Sequence, residues 1–483
     1  MAGPGWVAAS QAVRIASQLI GVLVVARIIG PAEYGIMAMA GVVTNFAMIF
    51  RDLGTSSALI QRDELDRETK TAVFWFNLAV GVSIAMVVLA FAPFIALAFE
   101  APKLVAVLAM LALAFPISSA GAAHQALLER DQRFRPVASG EIAGALLGAL
   151  VCIAMALAGA GVFSLVAQAL IAALVPLIAV WRALKWRPSA FRRYHIHSLR
   201  KVMGFSSHLV GFNLISYASR NADSVVAGRM FGAAPLGAYS LAYRVMLFPL
   251  QSLTFVATRV LYPRLSRLKG DYRAVSEIHL GTVRAIAALV APLMAGICVL
   301  REEFIQIIAG PGWVLAANIL IWLAPTGFLQ SISSTTSVVF MSMGKTKELL
   351  AIASFSSLLQ IIAVVVGAFY GIEQMAAAYF VANIVVLVVN ACSCRVMLGV
   401  GILEPFGALV PPVLSAAMMA LLIFAVKGRV ADYFGGSIFI SLVVSVTIGS
   451  AVYLLLLWLI SPSFFRALLV LFRNNSESRE KND

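Results

Sequence analysis

A short phrase occurs twice in this chain, and each copy closes an apolar run long enough to cross a bilayer. The first is Arg27-Ile28-Ile29-Gly30-Pro31-Ala32-Glu33-Tyr34-Gly35. The second, roughly 200 residues later, is Arg229-Met230-Phe231-Gly232-Ala233-Ala234-Pro235-Leu236-Gly237. The common skeleton is R-x-x-G-x-A-x-x-G. Sequence repetition on this scale points to two related structural units, and in a polytopic membrane chain the path for a substrate runs between such units.

The surroundings of the phrase are apolar throughout. The chain is 61% hydrophobic and 12% charged, against about 25% charged in soluble domains. No soluble core hides that much apolar surface, so lipid is the expected solvent. At roughly 20 residues per crossing, this length holds about 14 spans with short loops. The spans read as 8–28, 34–50, 72–99, 104–126, 139–159, 162–181, 205–228, 236–260, 280–300, 313–341, 349–370, 374–394, 405–426 and 437–460. The runs are continuous rather than alternating, which predicts helices and excludes a barrel. The expected fold class is all-α, a polytopic membrane protein.

The net charge of +14 does not indicate a nucleic-acid partner, because the basic residues lie between spans. Loops after even-numbered spans carry Arg51, Arg62, Arg67, Lys70, Arg130, Arg133 and Arg135, and then Arg259, Arg264, Arg267, Lys269 and Arg273. The central linker and the tail are also rich in Lys and Arg. Loops after odd-numbered spans have only Arg27, Lys103, Arg229, Arg301, Lys427 and Arg429. Cytoplasmic loops are the basic ones, so both termini are expected in the cytoplasm. No removable signal peptide is expected, since Arg14 interrupts the first apolar run and no cleavage site follows. Cys152, Cys298, Cys392 and Cys394 fall inside apolar stretches and read as packing residues. No metal and no cofactor are expected.

Three more matches accompany the repeated phrase. Ala92-Pro93-Phe94-Ile95-Ala96 answers Ala291-Pro292-Leu293-Met294-Ala295. The spacing of Pro102 and Pro116 recurs in Pro311 and Pro325. Gly161-Val162 with Leu165 and Ala167 answers Gly371-Ile372 with Met375 and Ala377. The order is the same in both halves, and an even number of spans per copy makes the repeat parallel. The expected organisation is a first lobe at 1–181, a basic cytoplasmic linker at 182–204, a second lobe at 205–398, and two extra spans with a tail at 399–483.

At this point the chain resembles the multidrug/oligosaccharidyl-lipid/polysaccharide exporter superfamily, and within it the bacterial polysaccharide flippases of the lipopolysaccharide, exopolysaccharide and capsule type. Asp52-Leu53-Gly54, Ala58-Leu59-Ile60-Gln61-Arg62 and Thr71-Ala72-Val73-Phe74-Trp75-Phe76-Asn77 look like that family's second loop and third helix. Asn221-Ala222-Asp223 and Gly228-Arg229 look like its seventh helix. The resemblance covers roughly 8–460. It implies a multi-pass protein of the inner membrane that flips an undecaprenyl-diphosphate-linked oligosaccharide outward. The implied partners are that lipid-linked substrate and membrane lipids, with the polysaccharide polymerase and other assembly proteins as candidates.

Ionisable groups inside spans are expensive unless paired or facing water, so the few present are the site candidates. Asn213, Tyr217, Arg220, Asn221 and Asp223 share the seventh span, where Arg220 and Asp223 are i, i+3 neighbours able to pair. Arg220 lies about 13 Å of helix rise from Arg229. Arg14 and Gln18 share a face of the first span. Tyr239 and Tyr243 share a face of the eighth, beside Arg244, and Arg284 lies just inside the ninth. The reading is a cationic cavity in which Arg14, Arg220, Arg244 and Arg284 meet a diphosphate or acidic sugar, since guanidinium binds phosphate oxygens bidentately. Gln18, Asn213, Tyr217, Asn221 and Tyr243 would meet sugar hydroxyls, and Asp223 is the ion-coupling candidate. The structural readings compete: Arg14 and Arg284 can snorkel, and Arg220 with Asp223 can be a mutually neutralising pair. Gly140, Gly144 and Gly148 read as a packing stripe, and Pro93, Pro116, Pro249, Pro292 and Pro325 as bends, static or rocking.

No phosphate loop, zinc spacing or loop-borne carboxylate pair is present, so an enzyme is not expected. A drug/cation antiporter of the same superfamily is the alternative, but it predicts an acidic cavity, whereas arginine outnumbers carboxylate in these spans. A membrane glycan polymerase or ligase predicts a large outward loop, and the outward loops here are short.

Overall fold

In hydrocarbon a backbone amide must find its partner within its own segment, which leaves the apolar runs of this chain one option, the helix. The computed structural model describes residues 3–51, 59–60, 66–190, 221–268, 270–399, 401, 403–434 and 436–462, with the side chains of 3–23, 248–260, 263, 403 and 405–406 outside the description. Among the described residues every regular element is helical. Ten helical spans there are long and apolar enough to cross a membrane. The protein is an all-α, polytopic membrane protein.

The elements run as α1 (Gly3–Met48), α2 (Arg67–Ala98), α3 (Lys103–Ala112), α4 (Ala114–Arg130), α5 (Phe134–Leu157) and α6 (Val162–Ala183). After the linker come α7 (221–231) and α8 (Ala233–Arg267). Then follow α9 (Tyr272–Val299), α10 (Arg301–Ile308), α11 (Val314–Ser342), α12 (Thr346–Ala368), α13 (Ile372–Leu398), α14 (Leu403–Tyr433) and α15 (Ile438–Ile460). The chain divides into two compact units, Met1–Ser240 and Leu241–Asp483, so α8 carries the boundary.

The repeated phrase makes the same backbone turn in both places. α1 holds the first two expected spans, and Gly30 breaks it at φ 74°, ψ 173°. Gly232, the equivalent glycine, separates α7 from α8 at φ 82°. Only glycine enters this region without steric penalty, which is why the skeleton keeps it. Pro31, next in line, presets the φ of the new helix start.

In the first unit α5 packs most closely on α6 through the glycine stripe. A methyl on Gly140 would come within 2.7 Å of the Ala179 Cβ, one on Gly144 within 3.1 Å of Pro176, and one on Gly148 within 3.1 Å of the Gln168 carbonyl. The stripe is a packing surface, as its spacing predicts. One expected span, 104–126, is found as the span Lys103–Arg130, made of α3 and α4 meeting at Leu113, whose backbone stays helical at φ −62°, ψ −24°. Pro116 has no N–H for the Ala112 carbonyl, so one helical hydrogen bond is missing near this junction.

In the second unit α9 is central. Val283, Ile286, Ala287, Val290 and Met294 face Ala324 and Ile332 of α11 and Ala408 and Leu409 of α14. The last two helices dock on α9 through Ala291 against Ala416, Met419, Ile423, Tyr453 and Leu457. The Tyr453 hydroxyl donates to the Ala288 carbonyl at 2.8 Å. That carbonyl is the one Pro292 leaves without its N–H four residues on.

Candidate functional site

Two groupings in the first unit concentrate the polar chemistry. One lies at the helix ends where the repeated phrases turn; the other lies inside α7.

The two phrases meet each other. A methyl on Gly35 would run into the Ala233 carbonyl oxygen, and one on Gly237 into the Pro31 carbonyl oxygen; each also comes within 3.0 Å of the other glycine's amide nitrogen. Position 31 of the first phrase corresponds to 233 of the second, and 35 to 237. The contact is therefore self-complementary, like an interface on a two-fold axis. Backbones touch there because neither copy has a side chain in the way. Beside this crossing, Arg229 Nη1 donates to Glu100 Oε1 at 2.7 Å, and Gly228 makes room for the Phe99 ring, whose Cε1 would lie 2.8 Å from an added methyl. The seam thus joins the α7–α8 turn to the α1 turn and the α2–α3 turn.

Glu33 of the first phrase ties the same end together. One carboxylate oxygen accepts from Lys103 Nζ, and the other accepts from the Val162 amide at 2.9 Å, an otherwise orphan donor at the start of α6. Burial works to raise the Glu33 pKa. The Lys103 hydrogen bond, the Val162 amide and the Lys103 charge outweigh it, leaving the carboxyl below its ordinary value. The second phrase has Pro235 at this position and no such tie.

Inside α7, Asp223 is buried. Tyr239 of α8, itself only 1% exposed, donates its hydroxyl to Asp223 Oδ2 at 2.9 Å. Asp223 Oδ1 accepts from the Ser224 amide at 2.7 Å and from the Ser224 hydroxyl at 3.4 Å. Among the described residues the carboxylate is thus held by neutral donors. Tyr239 stands one turn before Tyr243 on the same face of α8, and is not among the expected site residues.

The remaining site candidates are placed as follows. Asn221 is half-buried on α7, one turn from the Ser224 hydroxyl. Arg14 and Gln18 lie on α1 with side chains outside the description, and Asn213, Tyr217 and Arg220 lie outside the described residues. The anticipated Arg220–Asp223 pair therefore also lies outside them. In the second unit Tyr243 is half-buried, and Arg244 and Arg284 are exposed. No hydrogen bond or ion pair engages Arg284 among the described residues.

A polar network in the second unit lies outside the residues that the sequence singles out. Gln330 Nε2 donates to the Tyr379 hydroxyl at 2.8 Å and, at 3.4 Å, to Asn383 Oδ1. Asn383 Oδ1 also accepts from Gln360 Nε2 at 3.0 Å, and Asn383 Nδ2 donates to the Tyr379 carbonyl at 2.8 Å. The groups satisfy one another across α11, α12 and α13, which is how polar side chains hold membrane helices together. Uncharged amides inside apolar runs were the available signal. Among the described residues no cluster of His, Cys, Asp and Glu is arranged to hold a metal.

Comparisons with known proteins bear on what this arrangement serves. A family model described as "Polysaccharide biosynthesis protein" matches residues 24–318. The chain is 27% identical to the succinoglycan biosynthesis transport protein ExoT of Rhizobium meliloti (strain 1021), over 97% of this chain and 94% of that one. It is 25% identical to the teichuronic acid biosynthesis protein TuaB of Bacillus subtilis (strain 168), over 86% of each. Among solved structures it is similar to the lipid II flippase MurJ in an inward closed conformation, with a TM-score of 0.74 at 17% identity, covering 95% of this chain and 98% of that one. At that identity the likeness is one of fold.

Proposed function

This chain belongs to the polysaccharide biosynthesis protein family, and we propose that it is a flippase for undecaprenyl-diphosphate-linked oligosaccharide repeat units. It carries them from the cytoplasmic to the periplasmic leaflet of the bacterial inner membrane, for exopolysaccharide, lipopolysaccharide or capsule assembly. The observation that carries this reading is its nearly full-length similarity to a succinoglycan transport protein.

The mechanism is alternating access between a first lobe at 1–181 and a second at 205–398, joined by the basic linker 182–204 and followed by the two extra spans within 399–483. The asymmetry of basic loops puts both termini, and the even-numbered loops, on the cytoplasmic side. The Gly35–Gly237 crossing and the Arg229–Glu100 pair then lie at the periplasmic end. There they act as a closure that must part before cargo leaves outward. An ion pair exposed on both sides suits that task, because it holds no desolvated charge.

Substrate recognition falls to the polar groups of the spans. Arg14, Arg220, Arg244 and Arg284 hold the diphosphate or acidic sugar groups. Gln18, Asn213, Tyr217, Asn221 and Tyr243 meet hydroxyls. Asp223 couples transport to an ion, with Tyr239 and Ser224 as its neutral partners in one protonation or occupancy state. Polymerase and other assembly proteins are the macromolecular partners.

The test is removal of the gene from its host, extraction of lipid-linked sugars and sidedness labelling, with Arg284→Ala and Asp223→Asn add-backs. Accumulation of one diphosphate-linked oligosaccharide on the cytoplasmic leaflet is the expected result. Normal sidedness combined with altered sensitivity to cationic drugs would replace the flippase by an antiporter.

A further inference from the structure

The first unit has a third polar feature, away from α7 and from the seam, at the end where the basic loops gather. After α6 ends, residues 184–190 turn back across the ends of α2 and α4. Aromatic groups pin this strap. Trp75 Nε1 donates to the Ser189 carbonyl at 2.8 Å, and the Arg187 guanidinium lies 5.2 Å from the Trp181 ring centre. Trp181 is anchored in turn by donating Nε1 to the Ala120 carbonyl at 2.9 Å and by stacking on the buried His124 ring at 4.5 Å. Trp186 closes the other side of His124, at 5.0 Å between ring centres.

Between the strap and the helix ends a cleft of about 170 Å³ remains, lined by Lys70, Leu127, Arg130, Asp131, Leu184 and Trp186. Arg130 is held in place by donating Nη1 to the Leu59 carbonyl at 3.0 Å. Lys70 is half-buried, and no hydrogen bond or ion pair engages its ammonium among the described residues. The Trp186 indole N–H, buried at the wall, has no acceptor either. Asp131 is exposed at the rim, so two cations face one carboxylate.

We infer that this cleft is a binding site for the phosphate headgroup of a lipid. A phosphate diester or diphosphate presents only acceptor oxygens, which is what the Lys70 ammonium requires and what the Arg130 charge beside it favours. The cleft has the volume of about six water molecules at about 30 Å³ each, enough for a phosphate and its nearest atoms. Leu127 and Leu184 supply apolar walls for the first carbons beyond it. Basic pockets between helix ends at a membrane surface are where anionic headgroups lodge. The site is separate from the proposed cargo residues and stands whether or not the cargo is a lipid-linked sugar.

Native mass spectrometry of the purified full chain, titrated with phosphatidylglycerol or with phosphatidylcholine of the same acyl chains, tests it. One phosphatidylglycerol should be retained in preference to phosphatidylcholine. Lys70→Gln should reduce that preference about tenfold, the loss of one charged hydrogen bond, while Lys70→Arg should keep it and Lys347→Gln, at the start of α12 in the second unit, should not change it. Farnesyl diphosphate then separates two sources of the same chemistry. If it displaces the phospholipid, the site takes the diphosphate of an isoprenoid carrier. If the phospholipid resists it, the site holds a resident lipid. Equal retention of the two phospholipids, or a preference untouched by Lys70→Gln in protein of unchanged melting temperature, would overturn the site.

Discussion

The proline of α2 and the proline of α9 occupy matching places in the duplicated sequence, yet their surroundings differ. In α9, Pro292 frees the Ala288 carbonyl, and the buried Tyr453 hydroxyl of α15 donates to it at 2.8 Å. In α2, Pro93 frees the Leu89 carbonyl, the Leu89 side chain is 41% exposed, and no side-chain donor reaches it among the described residues. The next matched pair repeats the pattern. Pro325 frees the Ile321 carbonyl, which accepts from the Cys298 thiol at 3.8 Å, and α11 runs unbroken from Val314 to Ser342. Pro116 frees the Ala112 carbonyl, and no side-chain donor to it is found among the described residues. A proline thus sets where a helix can bend, and a neighbouring helix decides whether the freed carbonyl is braced. The last helix, α15, supplies one such brace within the second unit.

The largest expected effect breaks the equivalence of the repeated phrases themselves. Gly35→Ala and Gly237→Ala each drive a methyl into a backbone carbonyl of the other phrase. Each should destabilise the protein by about 1–3 kcal/mol and lower transport about tenfold or more by wedging the seam, read as complementation and as melting temperature. Because the contact is reciprocal, the two variants should act alike. A loss confined to one of them would show that the phrases are not equivalent partners.

Next, Tyr453→Phe should cost about 1 kcal/mol, the net worth of one buried hydrogen bond. In a Pro292→Ala background the new N–H at 292 meets the Ala288 carbonyl, so the same Tyr453 change should cost less than half as much. Pro93→Ala should leave the Tyr453 effect unchanged. Equal Tyr453 effects in all three backgrounds would remove the bracing explanation.

A smaller effect sharpens the Glu33–Pro235 contrast. The Glu33 carboxyl is held below its ordinary value of 4.5, so its contribution is present above that value and lost as pH falls through the lowered folded pKa. The stability difference between wild type and Glu33→Gln should be clear near about pH 6 and should shrink below about pH 4. A difference that grows on acidification would reverse the assigned sign. The smallest effect belongs to Cys298→Ala. A thiol donor is weak, so a few tenths of a kcal/mol are expected from the lost S–H···O contact, detectable as a shift of about a degree or less in melting temperature.

Much of this was legible in the residues. Apolar runs about 20 residues long determine membrane helices, because each must satisfy its backbone internally. The glycines at 30 and 232 mark the first bend of each copy, because the φ they adopt excludes other residues. Asp52-Leu53-Gly54 and Asn221-Ala222-Asp223 pointed to the family. These are local properties, and a short window of sequence contains all the atoms that cause them.

Other features needed the folded chain. Nothing near Asp223 in sequence indicates that its proton-donating partner is Tyr239, nothing near Pro292 names Tyr453, and nothing in either phrase says that Gly35 rests on the Ala233 backbone. Each depends on how one helix is rotated about its axis and how closely another approaches it. Those quantities are set by packing over whole helix faces, so residues far apart in the chain decide them together.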